Sequence, residues 1–193
     1  MRISHQDEDR AALRRLRQDA RDFALRRTVH LMLWGALFTA LFAMDSLLTY
    51  GLLGVSAVLR EGLFISLMIG VTVASCFFER FHAMNPVNIL SRSLLVLWAG
   101  VGAALLIVGF LGGVTVIADP GPRAGAMASL VALGFTVSAA VIGQRGPRVL
   151  AAFWWVFAAV SFFLVPEAAD LLAAAAFFGG LFLPGLCLFG LSR

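Results

Sequence analysis

The chain has 193 residues, of which 61% are hydrophobic and 13% are charged, and its mean hydropathy is +0.92. A soluble domain of this size cannot hide so much apolar surface, which excludes an ordinary soluble fold. The formal net charge is +4 and lysine is absent, so all 15 basic residues are arginine. Arginine-only usage with abundant alanine, glycine and leucine indicates a GC-rich bacterial genome.

The first 27 residues form a polar, arginine-rich segment that we treat as a unit separate from residues 28–193. Leu13, Leu16, Ala20 and Phe23 recur at helical spacing, which predicts an amphipathic helix. Three interpretations stay open: a helix lying on the inner leaflet with arginines near anionic headgroups, a solvated lead-in held by local Asp–Arg pairs, or a docking helix for a cytoplasmic partner. No motif for reading nucleic acids is present, so we expect no nucleic-acid partner.

Six long apolar stretches follow, each of a length suited to a membrane-spanning helix of roughly 20 residues. The predicted spans are 28–50, 62–79, 93–117, 125–143, 149–165 and 169–190. They are too long for the strands of a membrane β-barrel, and helices satisfy their own backbone hydrogen bonds in hydrocarbon. The predicted fold is therefore all-α: a polytopic membrane protein. The polar residues before the first span lack a cleavage site, so we expect no cleaved signal peptide.

The arginines predict the orientation of these spans. Most of them fall in the N-terminal segment, the second and fourth loops and the C-terminus, whereas only Arg60 and Arg123 fall on the other side. The positive-inside rule then places both termini in the cytoplasm, in the inner membrane of a bacterium.

The first span contains Asp45, the one charged residue well inside a predicted span. Thr49, Ser46 and Tyr50 lie close to it in sequence, and together the four residues form a candidate intramembrane polar site. A carboxylate at the bilayer centre costs about 2.5–3.5 kcal/mol on insertion scales, so it needs a reason to be there. A functional interpretation is a proton relay, a cation site or a contact to a partner helix. A structural interpretation is a carboxyl group that is bonded to a neighbouring helix or reached by interfacial water.

The spans are predicted to pair as three hairpins. Each odd span begins at an arginine that tryptophan follows six or seven residues later, and each even span ends at an arginine. The second and third hairpins carry this pattern with a proline at the outer turn: Trp98, Pro120 and Arg145, then Trp154, Pro166 and Arg193. In this pattern the chain resembles the HdeD-like family of small bacterial acid-resistance membrane proteins, which implies a six-span fold and a stress-tolerance role. The first hairpin departs from it, because Asp45 interrupts the helix and no proline marks its turn.

Small residues mark candidate packing faces, because they let membrane helices approach closely. Gly109 and Gly113 form a small-xxx-small pair in the third span, and Gly179 and Gly180 lie in the sixth. Pro184 removes a backbone donor and predicts a kink there, which would act either as a hinge or as a packing feature.

Nothing in the sequence predicts a cofactor, a metal site or an enzyme. The cysteines and histidines lack zinc-ligand spacing, and no nucleotide-binding loop or nucleophile motif occurs. The expected function is that of a non-enzymatic multi-pass membrane protein, an accessory or stress-tolerance subunit that associates with partner or like chains in the bilayer. The alternative is a small-solute transporter or channel subunit that uses Asp45.

Overall fold

A computed structural model describes residues 3–26, 28–50, 88–111 and 119–191, together with helical residues at 62, 66–67, 69–74 and 77. Over these residues the chain is helical apart from turns, which confirms the all-α class. Four of the described helices are long and apolar enough to cross a membrane: Thr28–Leu48, Ile89–Gly109, Gly121–Ile142 and Ala168–Leu188. The predicted second span, 62–79, is described only at residues 62, 66–67, 69–74 and 77, so the count of six spans stays a prediction.

The helices are numbered in chain order. They are α1 (Ile3–Arg26), α2 (Thr28–Thr49), α3 (Ile89–Leu111), α4 (Pro120–Ile142), α5 (Arg145–Ser161), α6 (Pro166–Phe177) and α7 (Leu183–Leu191), with a π-helical turn at Phe178–Phe182 between the last two. With 17 residues, α5 is at the short end of the range for a spanning helix.

The helix α1 packs across the end of the bundle at which α2 and α3 begin and α4 and α7 end. Ala20 and Phe23, two of the residues in its predicted apolar pattern, are buried. The side chain of Asn88, just before α3, donates hydrogen bonds to the backbone oxygen of Leu16 and to a carboxylate oxygen of Asp19, both at 3.3 Å. These contacts span about seventy residues of sequence and attach α1 to the bundle.

The helix pairs with the most extensive contacts are antiparallel. Trp98 near the start of α3 donates a hydrogen bond of 3.0 Å to Ser138 near the end of α4. Gly121 at the start of α4 packs against Ser161 at the end of α5. The most extensive backbone contacts of α5 are with α4, and those of α6 and α7 are with α2. The fifth and sixth predicted spans therefore do not pack on each other along their length as an isolated hairpin would.

The turn around Gly180 has a clear physical cause. Pro184 lacks an N–H group, so it cannot donate the helical bond to the carbonyl group of Gly180. The preceding turn is π-helical, with the backbone N–H of Leu183 bonded to the carbonyl of Phe178. The indole N–H of Trp154 reaches the freed Gly180 oxygen at 3.4 Å. Trp154 is fully buried, and this bond satisfies the only hydrogen-bond donor of its side chain inside the core.

Close helix contact depends on Gly35 and Gly185. A Cβ atom added at Gly35 would lie 2.5 Å from the backbone nitrogen of Phe182, and one added at Gly185 would lie 2.7 Å from that of Met32. Backbone cannot move aside as a flexible side chain can. The glycines therefore set the distance between α2 and the final helix.

The predicted packing glycines have different surroundings. A Cβ at Gly180 would meet Phe153 and Trp154 at under 3.0 Å, whereas one at Gly109 would make ordinary contact with Met127. Gly179 has open space at its Cβ position within the described structure. Gly113 lies outside the described residues.

The glycine contact predicts a sharp contrast between two alanine substitutions. Gly35→Ala should lower the free energy of unfolding by at least about 2 kcal/mol, because overpacking against fixed backbone costs about 1–3 kcal/mol or more. Gly100→Ala, at an exposed helical position with open space around it, should leave stability unchanged or raise it slightly. Reversible unfolding in detergent measures both, and equal effects would contradict the assigned contact.

Candidate functional site

A charged cluster lies at the end of the bundle opposite α1. A guanidinium nitrogen of Arg123, Nη2, lies 3.1 Å from Oδ2 of Asp45 and 3.4 Å from Oδ1 of Asp170. The three residues come from α2, α4 and α6, so one cation joins three helices. All three side chains are largely withdrawn from the surface, with exposed fractions of 10% for Arg123, 16% for Asp45 and 4% for Asp170.

Proline fixes where two of these helices begin. Pro120 occupies the first turn of α4 and Pro166 that of α6, where a missing N–H group costs nothing. Arg123 and Asp170 each follow within about one turn, so both side chains project near the start of their helices. Asp45 lies one turn before the end of α2. The helix α2 runs antiparallel to α4 and α6. Asp45 near its end therefore lies at the same level of the bundle as Arg123 and Asp170 near the starts of the other two helices.

Phe42 forms one wall of the cluster. The guanidinium carbon of Arg123 lies 5.7 Å from the centre of the Phe42 ring, within the range of a cation–π contact. Phe42 and Asp45 are three residues apart and share a face of α2, so that helix offers the cation both an aromatic ring and a carboxylate. Removing one partner of a buried ion pair typically costs 3–5 kcal/mol, because the remaining charge is left without compensation.

A small cavity of about 30 Å³ adjoins the cluster. Asp45 and Arg123 supply its polar lining, and the other lining residues are Phe38, Leu41, Phe42, Gly109 and Met127. The Nε–H group of Arg123 is buried and has no hydrogen-bond acceptor among the residues that the structure describes. A space of this size holds about one or two water molecules, so a water or a similarly small acceptor would fit beside this donor.

The four residues of the predicted polar site around Asp45 have different surroundings in the structure. Asp45 contacts Arg123, and Ser46 is buried in α2. Tyr50 is half exposed at the turn that ends α2, where its backbone N–H bonds to the carbonyl of Ser46. Thr49 ends the helix, and its side chain lies outside the described part of the chain.

Arg123 and Asp170 are the site residues that sequence reasoning missed. The arginine was assigned to an outer loop because the fourth span was predicted to begin at residue 125, whereas α4 begins at Pro120. Asp170 was not selected because it stands at the very start of the predicted sixth span, whereas in the structure it lies inside an apolar helix. Pro120 and Pro166 are the sequence signal that could have identified these residues, because each proline marks the start of a helix shortly before a charged residue.

The described residues hold no group of three or more histidine, cysteine or acidic side chains that would bind a metal. Cys187 is a free, exposed thiol. His82 and Cys76 lie outside the described residues.

Comparison with protein-family models, curated proteins and solved structures finds no match to this chain. The resemblance to the HdeD-like family therefore stays a prediction.

The cluster predicts a large loss of stability when its cation is removed. Arg123→Gln should lower the free energy of unfolding by about 3 kcal/mol or more, because two carboxylates lose their shared guanidinium. Arg148→Gln, which removes an exposed arginine, should change it by less than about 0.5 kcal/mol. Unfolding of the purified variants in one detergent measures the difference, and similar small effects would exclude a tight buried cluster.

Proposed function

We propose that the protein is a non-enzymatic multi-pass membrane protein that acts as an accessory or stress-tolerance subunit by associating with other membrane chains. The observation that carries the proposal is the uncovered face of α3. Only 17% of the apolar window of this helix is buried inside the structure, against 50% of that of α4. With so little cover from the described residues, this helix has most of its surface available to lipid or to another chain.

The composition of this face favours another helix over lipid alone. The exposed residues at helical spacing are Val96, Ala99, Gly100, Ala103 and Ile107. A Cβ atom at Gly100 would meet nothing within 4 Å. Small residues between two β-branched ones leave a shallow groove into which a second helix fits closely, and such packing drives helix association in membranes.

The charged cluster supports the same proposal, because Arg123 gives Asp45 a structural partner within the bundle. Its carboxylate binds a guanidinium that is shared with Asp170, and the adjoining space has room for only about one or two waters. Arg123 thereby fixes three helices relative to one another. A bundle held in this way offers a rigid surface to a partner.

For the topology we propose six spans with both termini in the cytoplasm. Contacts between α1 and α7 support termini on one side of the membrane. Tyr50 and Asn88, which flank the predicted second span, lie at opposite ends of the bundle, as an additional crossing requires. The arginine distribution supports the cytoplasmic assignment.

Energy transfer between fluorescently labelled chains in vesicles tests the association. We expect transfer between wild-type chains above the level of random proximity, and its loss in the double variant Ala99→Phe with Ala103→Phe. A matched control, Ala152→Phe with Ala159→Phe on the exposed side of α5, should retain it. If wild-type chains show no transfer, a second membrane protein should copurify in mild detergent and depend on the same α3 residues. Absence of both would contradict the proposal.

The alternative function, a small-solute transporter or channel subunit using Asp45, is favoured by one specific observation. The Nε–H of Arg123, which has no acceptor within the described part of the chain, and the carboxylate of Asp45 line the same cavity, so a small polar species would meet a donor and an acceptor there. Ionisable groups within spans commonly mark ion or proton pathways.

Flux into proteoliposomes distinguishes the two functions. A transporter that uses Asp45 should carry protons or small ions into vesicles, and Asp45→Asn should abolish that flux while the protein still folds. The association proposal expects the same low leak from wild type, Asp45→Asn and empty vesicles.

A further inference from the structure

We infer that one flank of α1 binds the phosphate groups of anionic phospholipids in the adjacent leaflet. This arginine flank consists of Arg10, Arg14, Arg17 and Arg21. The inference requires only that the apolar helices lie in a membrane, and it is independent of whether the protein associates with other chains.

Helical geometry brings the four arginines together. Their spacings of four, three and four residues place them along one side of α1, about a quarter turn from the buried Ala20. All four side chains are exposed. Between Arg10 and Arg21 no acidic residue shares this strip, because Asp19 and Asp22 lie on other faces of the helix and Asp7 falls on the strip only beyond its N-terminal end. The result is a continuous row of positive charge along the helix.

Among the described residues, no carboxylate forms an ion pair with these four arginines. The Nε–H of Arg14 donates to the backbone oxygen of Arg10 at 3.3 Å, which leaves the outer guanidinium nitrogens of Arg14 available. These planar groups can hold two phosphate oxygens at once.

The placement of α1 puts the flank at headgroup level. The helix ends at Arg26, and the first apolar helix begins at Thr28. The buried side of α1 is already covered by the bundle, and Asn88 holds the other flank. A Cβ added to Gly143, after the end of α4, would lie 3.7 Å from the Arg17 guanidinium, so the arginine flank faces the turn between α4 and α5.

Two more exposed arginines extend the surface at that turn. Arg145 begins α5, and Arg148 follows in its first turn. Basic groups beside the ends of membrane helices are suited to phospholipid headgroups, whose phosphates lie at this depth. A nucleic acid would require aromatic or base-reading groups, and the flank contains neither. The positive charge of the arginine flank and its position at the depth of the headgroups therefore favour an anionic phospholipid as the ligand.

Native mass spectrometry of the full chain in a neutral detergent tests the inference. The probes are short-chain phosphatidylglycerol, phosphatidylcholine and glycerol phosphate, the last of which has the charge without the acyl chains. We expect phosphatidylglycerol to bind preferentially. Removing two arginines by Arg14→Gln with Arg21→Gln should weaken its binding about 30-fold, because each arginine near a membrane surface contributes about 1 kcal/mol, or roughly fivefold.

A variant of equal net charge provides the control. Arg15→Gln with Arg92→Gln removes two exposed arginines that lie off the flank, and it should retain nearly all of the preference. The inference is overturned if wild type binds phosphatidylcholine equally well, if glycerol phosphate competes as strongly as the lipid, or if both double variants lose the preference to the same extent. Circular dichroism verifies that each variant keeps its helix content.

Discussion

The arrangement of the bundle depends on a single cation that three helices share. An arginine withdrawn from water requires nearby carboxylates, and Arg123 finds them on α2 and α6. Since apolar helices in lipid have no hydrophobic force to select their neighbours, such a polar contact has an unusually strong influence on which helices meet. Asp45, Arg123 and Asp170 thus define the relative positions of α2, α4 and α6 at one end of the molecule. The neighbouring Phe42 ring completes the enclosure of the charge.

A different kind of contact fixes the other end. There Gly35 and Gly185 allow α2 and the last helix to meet backbone against backbone. The π-helical turn lies beside Gly35, and there Pro184 frees the Gly180 oxygen and Trp154 bonds to it. The continuous segment from α6 to α7 is therefore fixed to the α2 end by the cluster at Asp170, to α2 by the glycine contacts, and to α5 at Gly180.

Composition and periodicity predicted the helical class and the positions of four apolar helices, because both are local properties of the sequence. The same reasoning selected Asp45, since an intramembrane charge is conspicuous. It missed Arg123 and Asp170, because a charge near a helix end looks like an ordinary loop charge until its distant neighbours are known. Sequence reasoning likewise selected glycines that occur in pairs, Gly109 with Gly113 and Gly179 with Gly180. Gly35, an isolated glycine, makes the closest approach, which depends on a partner helix about 150 residues further along the sequence.

A double-mutant cycle between Arg123→Gln and Asp45→Asn tests the central claim, that the shared cation couples the helices. Free energies of unfolding in one detergent are needed for wild type, both single variants and the double variant, and a second cycle uses Asp170→Asn. The account predicts a favourable coupling of about 1 kcal/mol or more in each cycle, above the average of about 0.6 kcal/mol for hydrogen bonds between membrane helices. Additive effects in both cycles, with coupling near zero, would contradict it.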